Sequence, residues 1–199
     1  MEVEMEYITV KGESKSQIII KKSKFITHLK YVENKEEARK YIEIIRKKYF
    51  DAKHNCYAYI VKEDNGLYEK YSDDAEPSGT AGMPILNVLK QKKLYNVVAI
   101  VTRYFGGILL GTGGLVRAYS DSVVEAINNA NMAKIILGMR IIVILEYQQF
   151  QKFKHYCDKN SINVLEIQYG ERIRAIIEIE EYKVEVGGQA VLGRQLELP

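Results

Sequence analysis

Two separated stretches hold the residue types that chemistry needs. The first, SDDAEPSGTAGMP over 72–84, gathers Asp73, Asp74 and Glu76. It then runs through Ser78, Gly79, Thr80 and Gly82 into an apolar segment opened by Pro84. The second, TRYFGGILLGTGGL over 102–115, sets Arg103 ahead of Gly106-Gly107, then Gly111, Gly113 and Gly114. Both glycine-rich loops lead into helical patterns. A helix start offers free N–H groups and the positive end of a dipole, which suits an anion. Thr80 and Thr112 are candidate N-caps. Arg103, at the end of a strand, could aim a fork of donors into the same cleft. The alternative is that the glycines serve tight turns and Arg103 pairs with Asp73, Asp74 or Glu76. The sequence leaves the two open.

His54 precedes the strand that leads into the acidic segment. With Asp73, Asp74 and Glu76 it supplies the mixed nitrogen and oxygen set that zinc or manganese takes. The spacing matches no metal motif, so no metal is assigned. Ser78 or Thr80 beside His54 would make a nucleophile and its base, but one histidine at no fixed spacing does not define a triad. Gly106 and Gly111 open with P-loop spacing, yet Thr112 and Gly113 stand where Lys and Ser or Thr are required. Gly111 to Val116 fails the dinucleotide fingerprint at Val116. Cofactor and oligomeric state stay unassigned. His28 and His155 receive no role.

These residues need elements to hold them. Phe25, Thr27, Leu29 and Tyr31 alternate with Ile26, His28 and Lys30, which is strand periodicity. Asn34 with Glu37 three residues on forms a capping box. Ala38, Tyr41, Ile42, Ile45 and Tyr49 then trace a helix face over 35–49. Strands are expected at 56–61 and 67–71, joined by a turn at Asp64-Asn65-Gly66. A helix follows over 84–91. The nearly all-apolar Asn96 to Thr102 reads as a strand buried on both faces. After a loop over 105–114, a long helix shows its face through Leu115, Ala118, Tyr119, Ser122 and Val123. A seam falls at 128–131. Beyond it a strand at 139–145, a helix at 150–160 and strands at 164–169 and 172–180 give the first half of a split βαβ, ferredoxin-like pattern. The tail should add a closing helix, against which Gly187-Gly188 argue.

The chain has 199 residues, 47% hydrophobic and 28% charged, with a formal charge of +3. Residues 11–53 carry thirteen Lys and Arg against six Asp and Glu, and only Arg39 and Arg46 of these are arginine. Residues 63–76 carry six acids and one lysine. A lysine-rich face suits diffuse attraction to a polyanion better than base reading. Cys56 and Cys157 are too far apart in sequence for a C-x-x-C motif and read as small buried hydrophobes. No apolar run approaches bilayer length and the acidic N-terminus is unlike a signal peptide, so a cytoplasmic protein is expected.

The strings His54-Asn55-Cys56-Tyr57-Ala58-Tyr59, Asp73 to Gly82, and Arg103 to Gly107 with Leu110-Gly111 and Gly113-Gly114 resemble the IMPACT family, with its bacterial YigZ-type members. The resemblance covers about 52–120. It implies a two-domain α+β protein: a domain like domain 2 of ribosomal protein S5 over 1–131, and a ferredoxin-like domain over 132–199. The relatives of both domains touch RNA or the ribosome. It therefore implies a translation-associated regulator whose partner is RNA or the ribosome, with the 73–82 and 103–114 loops forming one cleft. A hydrolase using that acidic, glycine-rich cleft is the alternative. The eukaryotic relatives' competition with a stress kinase uses an additional domain and is not expected here. Two residues depart from the pattern: Ala75 stands where glycine is expected, and Met83 where a basic residue is usual. Losing that charge weakens the helix start as an anion site.

Overall fold

The structure is a computed structural model that describes residues 6–63, 65–136, 138–180 and 196–197, and elements are counted among these. They divide into two compact units, one ending at Ile135 and the other beginning at Ile136.

The first unit opens with β1 (Glu6–Val10), β2 (Glu13–Ile20) and β3 (Ser23–Tyr31). Next come α1 (Lys35–Lys48), β4 (His54–Glu63), β5 (Gly66–Ser72), α2 (Gly82–Gln91), β6 (Val97–Tyr104) and α3 (Gly111–Asn128), then β7 (Met132–Ile136) at the division. Five strands form one sheet in the order β2-β3-β6-β4-β5. Every pairing in it is antiparallel. β6 is central, which is why its side chains are apolar on both sides. Val97, Ala99 and Val101 pack with α2 and α3, while Val98 and Ile100 face α1. The alternation of β3 holds: Phe25 and Leu29 join the α2/α3 layer. On α1, Ala38, Tyr41, Ile42 and Ile45 are buried against Tyr59, Val61, Val98 and Ile100. Burying a large apolar side chain stabilises by roughly 1.5–3 kcal/mol, so this face fixes the helix more firmly than its propensity does. Asn34 caps α1 by accepting from the Glu37 N–H at 2.9 Å. The reciprocal Glu37 carboxylate accepts instead from the Glu33 N–H.

Several boundaries differ from the sequence reading. α3 starts at Gly111, whose φ of +72° makes the turn itself. Thr112, Gly113 and Gly114 therefore lie in the first helical turn, not in a loop. Thr112 is not the N-cap; Leu110 holds that position without a side-chain bond. Nor is Thr80 a cap, because α2 begins at Gly82 behind Ala81, and the Thr80 hydroxyl donates to the Pro77 carbonyl at 2.6 Å. The seam at 128–131 leads into β7, which pairs with β1. Glu63 pairs with Gly66 across the β4–β5 turn; Asp64 lies outside the described residues.

The second unit contains β8 (Gly138–Leu145), α4 (Tyr147–Lys159), β9 (Asn163–Tyr169), β10 (Ile173–Glu180) and β11 (Leu196–Glu197). The sheet order β11-β8-β10-β9 is the ferredoxin-like one, with β11 parallel to β8. Val143, Leu145, Ile173 and Ala175 pack on Phe153 and Cys157 of α4. The expected closing helix lies outside the described residues.

Candidate functional site

β5 and β6 both run antiparallel to β4, so they run the same way and end at the same edge of the sheet. The register sets Arg103 opposite His54 on one side and Phe25 on the other. The segments after β5 and β6 therefore arise side by side, and α2 and α3 both start there. This brings His54, Asp73, Asp74, Glu76, Gly79, Thr80 and Arg103 into one neighbourhood.

Each acid is committed to a different internal task. Asp73 Oδ1 accepts from the N–H groups of Ala81 at 3.0 Å and Gly82 at 2.8 Å, and Oδ2 from that of Gly79 at 2.9 Å. The anion at the start of α2 is thus the chain's own carboxylate, held by orphan donors and the helix dipole. Asp74 Oδ2 accepts from the Asn55 N–H at 2.6 Å, and Oδ1 from Arg46 at 3.1 Å. Asp74 and Ala75 both have positive φ, +42° and +66°. That backbone favours the glycine which the family resemblance leads one to expect at position 75. Glu76, with its side chain only 3% exposed, takes the Arg103 guanidinium at 2.6 Å and the Tyr119 hydroxyl at 2.9 Å on Oε1. Of the two uses weighed for Arg103, pairing with an acid is the one realised. Its Nη2 lies 3.5 Å from Ser23 Oγ, and the guanidinium is flanked by the rings of Phe25 and Phe105.

His54 Nδ1 lies 2.9 Å from the Asp74 carbonyl. A carbonyl only accepts, so this nitrogen carries the proton, and Nε2 faces Glu76 Oε1 at 3.9 Å. Cys56 Sγ is 2.9 Å from the Asp73 carbonyl and 3.3 Å from the Tyr119 hydroxyl. Burial pushes both the Cys56 thiol and the Tyr119 phenol well above their usual pKa values, so both keep their protons. Among the described residues, no three of His, Cys, Asp and Glu are placed to hold a metal ion. The Thr80 hydroxyl is bonded to the Pro77 carbonyl, and Glu76 to Arg103 and Tyr119.

The glycines divide by role. A Cβ on Gly106 would stand 2.0 Å from the Lys22 carbonyl carbon, so only glycine lets this loop close on the β2–β3 turn. A Cβ on Gly107, Gly111 or Gly113 would meet open space. Ser78 is exposed. Tyr119, Cys56, Asn55 and Arg46 complete the network, and the sequence reading gave none of them a place in the cleft. Tyr119 carried a signal: a hydroxyl-bearing ring on the apolar face of a helix needs a buried partner.

A second cluster lies on the α1 side of the sheet. The hydroxyl of Tyr49 hydrogen-bonds with His28 Nε2 at 3.1 Å, and Lys48 sits over the Tyr49 ring. Lys24 sits over Tyr104, whose hydroxyl donates to Asp51 at 2.7 Å. His28 is thus a member of a cluster, not incidental. Burial first, then the charges of Lys15 and Lys48, hold its pKa down at about 4. The sheet order puts these lysines toward the β2 edge and the acidic β4–β5 hairpin at the other edge. Glu63 and Glu69 of that hairpin pair with Lys35 and Lys90. Lys15, Lys21, Lys22, Lys24 and Lys48 form no ion pair among the described residues.

Fold and network together define a two-domain α+β protein whose glycine-rich loops are tied by a buried Glu–Arg pair. The Impact N-terminal domain matches residues 21–127, more than half of the chain, and a domain of unknown function, DUF1949, matches 143–190. The chain belongs to the IMPACT family. It is 42% identical to the IMPACT family member YvyE of Bacillus subtilis over 88% of this chain and 80% of that protein. It is 38% identical to YigZ of Escherichia coli over 72% of each. A crystal structure of a hypothetical protein aligns at a TM-score of 0.65 and 30% identity, covering 92% of this chain and 89% of that one. The two-domain translational regulator Yih1 aligns at a TM-score of 0.37 and 20% identity, over 65% of this chain and 49% of its own, too low to bear on function. No helix among the described residues is long and apolar enough to cross a membrane.

Proposed function

We propose that this chain is a translation-associated protein that binds RNA, free or on the ribosome, through the lysine face at the β2–β3 side of its first unit. One observation carries the reading: the acids are spent internally while the lysines are not. Asp73, Asp74 and Glu76 are bound to backbone N–H groups, Arg46 and Arg103. Lys15, Lys24 and Lys48 come from β2, β3 and α1 and converge around His28, Tyr49 and Tyr104. Lys24 and Lys48 lie over rings, while Glu13 and Asp51 of the same cluster are engaged by Lys30 and the Tyr104 hydroxyl, and cations beside rings are the combination that meets phosphates and bases. Family membership supports the translation setting, since the resemblance implies domains akin to those that touch ribosomal RNA. In this reading the 73–82 and 103–114 loops hold the sheet end rigid, with Arg103 and Glu76 as the clamp.

Filter binding of ribosomal RNA across a salt series tests the proposal. Affinity should fall linearly in log–log form as salt rises. Replacing Lys15, Lys24 and Lys48 together by Gln should make the slope shallower by about 2–3, the release of three phosphate contacts. Affinity independent of salt, or a triple variant that binds as the parent does, refutes it.

A further inference from the structure

We infer that the lysine face takes unpaired RNA, and that Phe50 is the platform on which a base stacks. The inference rests on the RNA-binding reading of that face and adds to it the kind of RNA. Phe50 is 85% exposed. The turn that carries it is nonetheless held on both sides. The Tyr49 N–H donates to the Ile45 carbonyl at 3.0 Å, and the Ala52 N–H to the Tyr49 carbonyl at 3.1 Å. The Tyr49 hydroxyl is bonded to buried His28. Asp51 is bonded to the hydroxyl of Tyr104 on β6. The ring is therefore presented by a fixed turn, with its stacking geometry prepaid.

The rings that anchor the turn on either side of Phe50 carry lysines. Lys48 lies over the Tyr49 ring, and Lys24 over Tyr104, whose hydroxyl reaches Asp51, the residue after Phe50. Ile19, 67% exposed, is the register partner of Lys24 on β2. Exposed apolar side chains among unpaired lysines can take a base by its face while the lysines take the backbone, which is how unpaired strands are held. A duplex hides base faces and offers only its phosphates, so Phe50 would add nothing to it. Lysines with no arginine fork at this cluster also argue against reading of base edges.

The experiment compares a 12-nucleotide single-stranded RNA with a duplex of the same sequence, by fluorescence anisotropy on the full chain. Phe50→Ala should weaken single-strand binding about tenfold and leave duplex binding unchanged. Phe50→Trp should keep the affinity. The chain has no tryptophan, so this variant carries the sole indole, and its emission should be quenched on binding the single strand. Equal affinity of Phe50→Ala and parent for the single strand, no quenching, or parent preference for the duplex overturns the inference. If the Lys15/Lys24/Lys48→Gln variant meanwhile loses RNA, the broader reading survives. If the parent binds neither RNA, or the lysine variant binds as the parent does, both fall.

Discussion

Replacing Glu76 tests the buried clamp most directly. Its side chain is 3% exposed and that of Arg103 is 7% exposed, at 2.6 Å from each other. Glu76→Ala strands the guanidinium in the interior and leaves the Tyr119 hydroxyl without its acceptor. Breaking one half of a buried pair costs about 3–5 kcal/mol, and the orphaned hydroxyl is part of that loss. Glu76→Gln keeps an oxygen for both donors but removes the charge, and should cost about 2 kcal/mol. Glu76→Leu with Arg103→Met removes the charge from both sides and should recover most of the loss, because an apolar pair of similar volume needs no desolvation. The assay is urea-dependent hydrogen exchange of the β6 amides, which reports the first unit by itself. A Glu76→Ala cost below about 1 kcal/mol, or a double variant no more stable than Glu76→Ala, refutes the buried pairing.

Four further outcomes follow from the same coordinates. Asp73→Ala frees three N–H groups at the start of α2 and should cost about 2 kcal/mol in urea unfolding, while Ser78→Ala should stay within about 0.5 kcal/mol. Gly106→Ala drives a methyl into the Lys22 carbonyl and should cost about 3 kcal/mol by the same measurement. Ala75→Gly relieves a φ of +66° and should raise the unfolding free energy from urea titration by about 0.5–1 kcal/mol. His28 is held near pKa 4 against about 6.5 unfolded, so below pH 6.5 the unfolded chain binds the extra proton. Its contribution is full above pH 6.5 and lost as pH falls toward 4, about 3 kcal/mol in all. NMR titration should place the His28 midpoint near 4, and His28→Gln should flatten stability over that window.

Much of the frame was legible because its causes are local. The alternation around Phe25 and Leu29, the Asn34 cap and the doubly buried Val97 to Val101 follow from periods of two and 3.6 and from which side chains water rejects. The meeting of Arg103 with an acid was one of two readings left open. Which acid it met was not legible. That choice depends on the positive φ of Asp74 and Ala75, which aims three carboxylates from one short segment in three directions. The exposure of Phe50 is not legible in the sequence, because a phenylalanine just past an amphipathic helix reads as one more core residue. Its exposure depends on how Tyr49 and Asp51 are anchored to β3 and β6.

By itself, then, the sequence determined most of the elements, the separation of basic from acidic segments, and the family. Those rest on side chains acting on their near neighbours in the chain. Tertiary structure decided which charges are spent and which remain. Glu76 meets Arg103 across 27 residues and His28 meets Tyr49 across 21. Contacts over such spans come from sheet order and strand register, which place side chains that local periodicity cannot bring together.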